Sequence, residues 1–225
     1  MLPIALVLVL TLVLVLVCSA VPWVARALRG RHLVVALVVG LVVGIAVGII
    51  GAVRALPLSP LTDLLVLVVA WSGGLLLGRS LPARFGAFLS WFLCFSVFDL
   101  LLAVGGYPQV PHAAGSVSPL AWATFHLVLP TGPFAINGVD LLLLTTLAEH
   151  WHRRGASYLI ALLPGVLGVL LADGFILVTQ LSLVPAIPFF TVGYVVTEGV
   201  YRSLNRHHAP PSATSAQSGA MDRVV

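Results

Sequence analysis

Five carboxylate side chains interrupt long apolar stretches of this 225-residue chain, and they are the residues best suited to chemistry. They are Asp63, Asp99, Asp140, Asp173 and Glu198. A carboxyl group can accept or donate a proton, activate a water molecule or pair with a cation. At bilayer depth such a group costs about 2.5–3.5 kcal/mol on insertion scales, so each one is a functional candidate.

Asp99 and Asp140 form one pair whose spacing suits acid–base catalysis, although depth alone does not choose between them and Asp173. Asp99 lies six residues before Gly105, near the end of one apolar run. Asp140 lies seven residues after Pro133, near the start of the next run. If both runs are helical, a rise of about 1.5 Å per residue places both carboxylates about 9–11 Å below one boundary. Asp173 has a similar depth on a later run, and hydrogen bonding between packed helices is an alternative role for each Asp.

The composition predicts that membrane helices position these acids. The chain is 60% hydrophobic and 8% charged, with a mean hydropathy of +1.14, which excludes a soluble enzyme, a disordered protein and a disulfide scaffold. A transmembrane helix needs about 20 apolar residues, and seven runs qualify. They cover approximately residues 4–25, 33–53, 58–78, 85–105, 131–149, 157–180 and 184–203. We therefore predict an all-α polytopic membrane protein with about seven transmembrane helices.

The apolar runs divide the chain into three parts. Residues 1–80 contain three predicted helices, and residues 81–204 contain four, including those that carry Asp99 and Asp140. Residues 205–225 are rich in Ser, Ala, Pro and His, a composition that predicts a disordered tail. No soluble domain is predicted.

The basic residues predict the orientation of the chain. All eleven are arginine, which is typical of a GC-rich bacterial genome. With the N-terminus outside, ten of them lie on the inner side and Arg54 alone lies outside. The positive-inside rule then predicts an integral protein of the bacterial plasma membrane with a cytoplasmic C-terminus. The net charge of +4 follows from this topology and indicates no nucleic-acid partner.

Two further clusters have structural interpretations. Gly40, Gly44 and Gly48 repeat at a spacing of four, which favours close packing within the chain over a dimer interface and leaves the oligomeric state open. Residues 149–154 combine one glutamate, two histidines and two arginines at a predicted helix boundary. We interpret this cluster as a solvated helix end, and we predict no metal site and no cofactor.

Three short motifs occur in order along the chain. They are Phe98-Asp99, Asn137-Gly138-Val139-Asp140 and Pro185-Ala186-Ile187. They resemble the YD, GxGD and PAL motifs of the presenilin and signal peptide peptidase family of intramembrane aspartic proteases, over about residues 85–203. The resemblance implies a presenilin-like C-terminal helix bundle in which Asp99 and Asp140 are catalytic and residues 185–187 bind substrate. Pro185 and Pro188 either free the backbone there to pair with a substrate strand or mark the start of a helix.

The chain also departs from the family pattern. Phe98 stands in place of the tyrosine, so its hydroxyl is missing. Asn137 and Val139 replace both motif glycines, while Gly138 supplies a glycine between them. Ile187 replaces the leucine, and seven predicted helices stand where the family commonly has nine. These departures leave open a catalytically inactive relative.

The resemblance implies cleavage of transmembrane helices within the lipid bilayer, and the predicted orientation suggests type II substrates. A first alternative is an inactive member of the fold that binds membrane helices. A second is a proton-coupled transporter or channel that uses Asp99, Asp140 and Asp173 as a relay, although the chain lacks the internal repeat typical of many transporters. A prepilin peptidase also uses two aspartates, but the shifted glycine and the Pro-Ala-Ile run fit it less well.

Overall fold

The apolar runs fold into helices, and the described chain is almost entirely helical. The computed structural model describes residues 4–26, 31–53, 60–104, 124–129, 132–179 and 185–208. Its helices are α1 (Ile4–Ala25), α2 (Arg31–Val53), α3 (Pro60–Ser80), α4 (Phe85–Val104), α5 (Gly138–Arg153), α6 (Tyr158–Thr179) and α7 (Ile187–His208). Between α4 and α5, β1 (Thr124–Leu129) and β2 (Gly132–Asn137) form an antiparallel pair.

Three of these helices are long and apolar enough to cross a membrane, judged by length and composition. Their apolar segments are Leu8–Ala25, Thr62–Ser80 and Tyr158–Thr179. Two shorter apolar segments, Val34–Ile50 and Phe85–Leu101, lie in α2 and α4. The described part of the chain thus has the helices of a membrane protein.

The predicted tail begins later than expected. α7 continues through His208, so the expectation of disorder from residue 205 is wrong for residues 205–208. Residues 209–225 and Arg54 lie outside the described residues, as does most of the predicted loop at 106–130. The predictions made for those parts stay predictions.

The predicted helix over residues 131–149 is wrong in its first part. Gly132–Asn137 is a strand, paired with β1 from Thr124 opposite Asn137 to Leu129 opposite Gly132. Glycine and proline at 132–133 disfavour a helix interior, so α5 begins only at Gly138. Asp140 therefore lies in the first turn of α5 rather than two turns into a helix. The equal-depth argument for the two acids loses its basis.

α5 is the central helix of the fold. It packs against α1, α3 and α6, and every residue from Leu143 to Trp151 is buried. Two glycines of α3 permit a close approach: a Cβ atom on Gly74 would lie 2.6 Å from Cβ of Thr145. A Cβ atom on Gly78 would lie 2.8 Å from Cβ of Glu149. The hydrophobic core draws on residues from both sides of position 80.

The glycine repeat of α2 also serves packing within the chain, as predicted. A Cβ atom on Gly40 would lie 3.1 Å from Oγ of Ser72, and one on Gly44 would overlap the Val69 side chain. Both contacts are with α3. Gly48 has open space around it, since no atom lies within 4 Å of its hypothetical Cβ.

The remaining helices place Asp99 against α7. α4 packs on α7, and α7 packs on α6. In the described part of the chain, α4 and α5 do not pack along their length, although they carry Asp99 and Asp140 respectively. Asp99 and Asp140 therefore lie on two helices that pack against different neighbours: α7 for α4, and α1, α3 and α6 for α5.

Candidate active site

Asp99 lies near the end of α4 and contacts the start of α7. Its Oδ2 atom accepts a hydrogen bond from the backbone N–H of Ile187 at 3.2 Å. Ile187 is the first residue of α7, and its side chain is buried. The first N–H groups of a helix have no partner in their own helix and favour negative charge. Two of the predicted motifs, 88 residues apart, thus meet at this hydrogen bond.

Asp140 lies just after a capped helix start. Asn137 is the N-cap of α5, and its Oδ1 atom accepts a hydrogen bond from the Val139 N–H at 3.0 Å. Asparagine is among the preferred residues at this position. Gly138 is the first helical residue, and Asp140, the third, lies where the helix dipole favours an acidic side chain. Gly138, the glycine that lies between the two glycine positions of the family motif, is thus the first residue of a helix.

The two predicted catalytic acids interact electrostatically. The charge of Asp99 acts on Asp140, and both side chains are half-buried. Carboxylates that share a site resist simultaneous ionisation, so such a pair commonly holds one proton between its members. We refer to Asp99, Asp140 and the Ile187 N–H as the acid site.

Pro185, Ala186 and Ile187 form the start of α7. The Ala186 carbonyl accepts hydrogen bonds from the N–H groups of Phe189 and Phe190 at 3.1 and 3.2 Å. Pro188 lies in the first turn, where its missing N–H costs little. This geometry fits the helix-start interpretation of the prolines. The alternative interpretation, a free backbone, does not hold for Ala186 C=O and Ile187 N–H, because the chain itself engages both groups.

Phe98 and Asp173 make no described contact with the acid site. The Phe98 side chain is 59% exposed, so it lies on the outer surface of α4. Val139 of the second motif is also exposed. Asp173 belongs to α6, the other helix that packs on α7, and its Oδ2 atom is buried without a hydrogen-bond partner. Two residues further along, the ring of Phe175 lies 5.6 Å from that of Phe189 near the start of α7.

Sequence reasoning missed two hydroxyl groups one turn from the acid site. Ser96 Oγ of α4 lies 2.7 Å from Thr191 Oγ1 of α7, and both side chains are buried. Ser96 precedes Asp99 by three residues and Thr191 follows Ile187 by four. These spacings place each hydroxyl on the same helix face as its neighbour at the acid site. The spacing was visible in the sequence, but the pairing of α4 with α7 was not.

Comparisons with known proteins do not test the resemblance of the motifs. No protein-family model, curated protein or solved structure matches it. The resemblance to intramembrane aspartic proteases stays a prediction based on the residues themselves. Within the described ranges, no group of three or more His, Cys, Asp or Glu side chains is placed to hold a metal ion.

The cluster at residues 149–154 is buried at its start, so the predicted solvated helix end is wrong there. Glu149 is 3% exposed, and its Oε1 atom accepts a hydrogen bond from Arg79 Nε at 3.0 Å. The Nε2 atom of His150 lies 2.9 Å from the Tyr194 hydroxyl. The His150 ring stacks on Phe88 with centroids 3.8 Å apart. Because α5 is central, elements on several sides cover its last turn as well as its middle.

The two arginines that follow join α5 to different neighbours. Arg153 Nη1 donates to three carbonyl oxygens at the end of α3, those of Gly78, Arg79 and Leu81, at 2.6, 2.9 and 2.7 Å. Arg154 forms a two-pronged ion pair with Glu198 of α7, which also accepts from Arg202 at 2.7 Å. Burial alone would lower the pKa of Arg154, but its bond with Glu198 outweighs that effect and raises the pKa. We refer to these residues, Arg79, Glu149, Arg153, Arg154, Glu198 and Arg202, as the arginine clasp.

Proposed function

We propose that this protein is an intramembrane aspartic endopeptidase that cleaves transmembrane helices with Asp99 and Asp140. The observation that carries the proposal is the hydrogen bond from the Ile187 N–H to Asp99, beside a second acid within electrostatic reach. It brings the Phe-Asp motif to the Pro-Ala-Ile motif in one site. The order of the three motifs along the chain supports the same assignment.

Two neighbouring carboxyl groups can hydrolyse a peptide bond when they share one proton. The ionised member removes a proton from a water molecule as its oxygen attacks the scissile carbonyl carbon. The protonated member donates to the carbonyl oxygen, which becomes a hydroxyl of the tetrahedral intermediate. Collapse of the intermediate breaks the C–N bond: the acid that took the proton from water donates it to the leaving nitrogen, and the other acid recovers its proton from a hydroxyl of the intermediate. This chemistry uses the two acids and water, without a cofactor.

The substrate has to leave its helical conformation before cleavage, because a helix shields its own peptide bonds. The described sheet has two strands, so β2 has an outer edge whose backbone groups have no partner strand there. β2 ends at Asn137, three residues before Asp140. We infer that an unwound substrate segment adds to this edge as a strand. That placement directs the peptide backbone toward the acid site.

The proposal includes a topology in which all seven helices lie in the membrane. The N-terminus is outside and the C-terminus is cytoplasmic, which suits type II substrates. Single cysteines at Ser116 and Ser212, both outside the described residues, test this orientation in a background without Cys18 and Cys94. An impermeant thiol reagent applied to intact cells should label position 116 and not position 212. The reverse pattern would overturn the orientation.

An inactive member of the fold is the second candidate, and the start of α5 favours it. Asn137 caps this helix, and Asp140 lies where the helix dipole favours a negative charge. Both residues thus have a structural role that requires no catalysis. Under this candidate, the protein binds membrane helices without cleaving them.

A cleavage assay on the full-length protein separates the two candidates. The purified protein is reconstituted in liposomes with synthetic type II transmembrane peptides, and products are identified by mass spectrometry. The protease proposal expects defined cleavage within the membrane segment, blocked by an aspartic-protease transition-state mimic. Binding of the peptides without cleavage across several sequences would favour the inactive fold.

A further inference from the structure

The Ile187 residue that contacts Asp99 is held at both of its backbone polar groups. Its N–H donates to Asp99 Oδ2, and its carbonyl oxygen accepts a hydrogen bond from Thr191 Oγ1 at 3.0 Å. The same Thr191 oxygen lies 2.7 Å from Ser96 Oγ. Ser96 and Asp99 both belong to α4. The hydrogen bonds that join Asp99 to Ile187, Ile187 to Thr191 and Thr191 to Ser96 therefore begin and end on α4 and pass through α7.

The hydroxyl pair is suited to fixing the position of one helix along the other. Ser96 is 8% exposed and Thr191 is 6% exposed, and a buried hydrogen bond in a low-dielectric surrounding is strong and directional. Further along the same interface, Phe92 meets Tyr194 through stacked rings with centroids 6.2 Å apart. Such ring contacts tolerate small sliding motions better than a 2.7 Å hydroxyl contact does.

We propose that Ser96 and Thr191 are positioning residues that hold the Ile187 N–H on Asp99, so that Asp99 is the ionised, water-activating acid and Asp140 is the proton donor. This assignment rests on the proposed function and adds to it the division of roles between the two acids. The Ser96 and Thr191 hydroxyls act through Ile187 and do not contact the substrate in this proposal.

Each acid lies at the first turn of a helix, α7 for Asp99 and α5 for Asp140, and the backbone donors found there distinguish the two. Asp99 accepts a backbone N–H at the first turn of α7, an arrangement that stabilises a carboxylate. In the first turn of α5, the Val139 N–H donates to Oδ1 of the cap residue Asn137 and not to an acid. α7 is the helix against which α4 packs, and between Ile187 and Gly193 it carries no titratable side chain. The charge of Asp99 acts on Asp140, so an ionised Asp99 favours the protonated form of Asp140.

Removal of either hydroxyl tests the inference in the reconstituted full-length protein. Ser96→Ala and Thr191→Val should each lower kcat for a synthetic type II transmembrane peptide on the order of tenfold, because the catalytic acid is misplaced. KM should stay unchanged. The acidic limb of the kcat profile should move to higher pH, since the carboxylate loses a donor that favours its charged form.

Conservative and matched variants separate positioning from a general loss of structure. Ser96→Thr and Thr191→Ser keep the hydroxyls and should restore both kcat and the pH profile. Thr197→Val is the matched control: Thr197 is a buried threonine of α7 whose hydroxyl bonds the Gly193 carbonyl of its own helix. It should retain the parent profile. Parent-like kcat and pH dependence in Ser96→Ala and Thr191→Val, or an equal loss in Thr197→Val, would overturn the inference.

An infrared measurement keeps the inference testable if the parent protein does not cleave. The difference spectrum between the parent and Asp99→Asn isolates the Asp99 bands. The inference expects a carboxylate band in the parent at neutral pH and a protonated carboxyl band in Thr191→Val at the same pH. Absence of cleavage with this band change would contradict only the protease proposal. A protonated Asp99 in the parent, or an unchanged band in Thr191→Val, would overturn the positioning role.

Discussion

The acid site lies at the start of α7, the arginine clasp contacts the middle of α7 through Glu198, and the two use charge in opposite ways. In the clasp, Glu149 and Glu198 each meet arginine, so buried negative charge is compensated. In the acid site, two carboxyl groups act on each other, and Asp99 is stabilised by a backbone donor. Compensated charge favours a fixed structure, whereas a like-charged pair is suited to proton exchange. The clasp is thus suited to stabilising the fold, and the acid site is suited to the proposed proton exchange.

The packing of α4 follows the same division. Toward the clasp, Phe88 of α4 stacks directly on His150 of α5. Toward the acid site, the contacts that hold α4 come from α7 through Ser96 and Asp99. α4 therefore contacts α5 directly near the clasp, whereas near the acid site the contacts that hold α4 are with α7.

Substitution of the two acids should have the largest effect on cleavage. Asp99→Asn and Asp140→Asn keep the side-chain volume nearly unchanged but remove the shared proton, so each should abolish cleavage. The melting temperature should stay the same or rise, because repulsion between the acids is relieved. The double variant should be little worse than either single one, since the acids act as one unit. Robust cleavage by the purified double variant would disprove the mechanism.

Loss of a clasp arginine should do the reverse and reduce stability rather than chemistry. Arg79→Ala leaves the buried Glu149 carboxylate without its cation, which should lower the free energy of unfolding by about 3 kcal/mol. Cleavage per folded molecule should stay close to that of the parent. Arg84→Ala, at an exposed position, is the matched control and should change little. Equal denaturation profiles for the two variants would show that the clasp does not stabilise the fold.

A methyl group between α3 and α5 should have a smaller effect on stability. Gly74→Ala places a Cβ atom 2.6 Å from Thr145 Cβ, so the helices have to separate. Overpacking of this kind costs about 1–3 kcal/mol, which thermal unfolding in detergent can measure. Gly48→Ala adds the same atom in open space and should be neutral or slightly stabilising. A stable Gly74→Ala variant would contradict the close approach of α3 and α5.

The third membrane acid should matter least. Asp173→Asn should retain substantial cleavage, because the acid that acts on Asp140 is Asp99 and not Asp173. A relay in a transporter would instead make this variant defective in proton-coupled flux, with no proteolysis in the parent. Complete loss of cleavage, equal to that of Asp99→Asn, would contradict the choice of Asp99 and Asp140 as the pair.

The sequence predicted the helices well where hydrophobicity alone determines them. The run at 85–105 corresponds to α4 (Phe85–Val104), and the run at 157–180 corresponds to α6 (Tyr158–Thr179). It failed for residues 132–137, because a strand depends on a pairing partner, here β1, rather than on hydrophobicity. An apolar run of this length does not distinguish half a helix from a strand.

The site was less predictable than the helices for a related reason. The encounter of Asp99 with Ile187 was anticipated only through the resemblance of their motifs, since no local pattern specifies a contact across 88 residues. Burial of Glu149 was missed because a polar cluster after an apolar run usually marks a solvated end. Its partner Arg79 lies 70 residues away. Partners this distant in sequence become visible only when the packing of the helices is known.

The hydrogen bond between Ile187 and Asp99 also has a consequence for biosynthesis. A ribosome makes both acids before it makes α7, so a nascent chain holds Asp99 and Asp140 before their backbone donor exists. The site is completed only when the last described helix is inserted beside α4. If the protein is the protease proposed above, a partly synthesised chain lacks the finished site and cannot yet cleave other membrane helices.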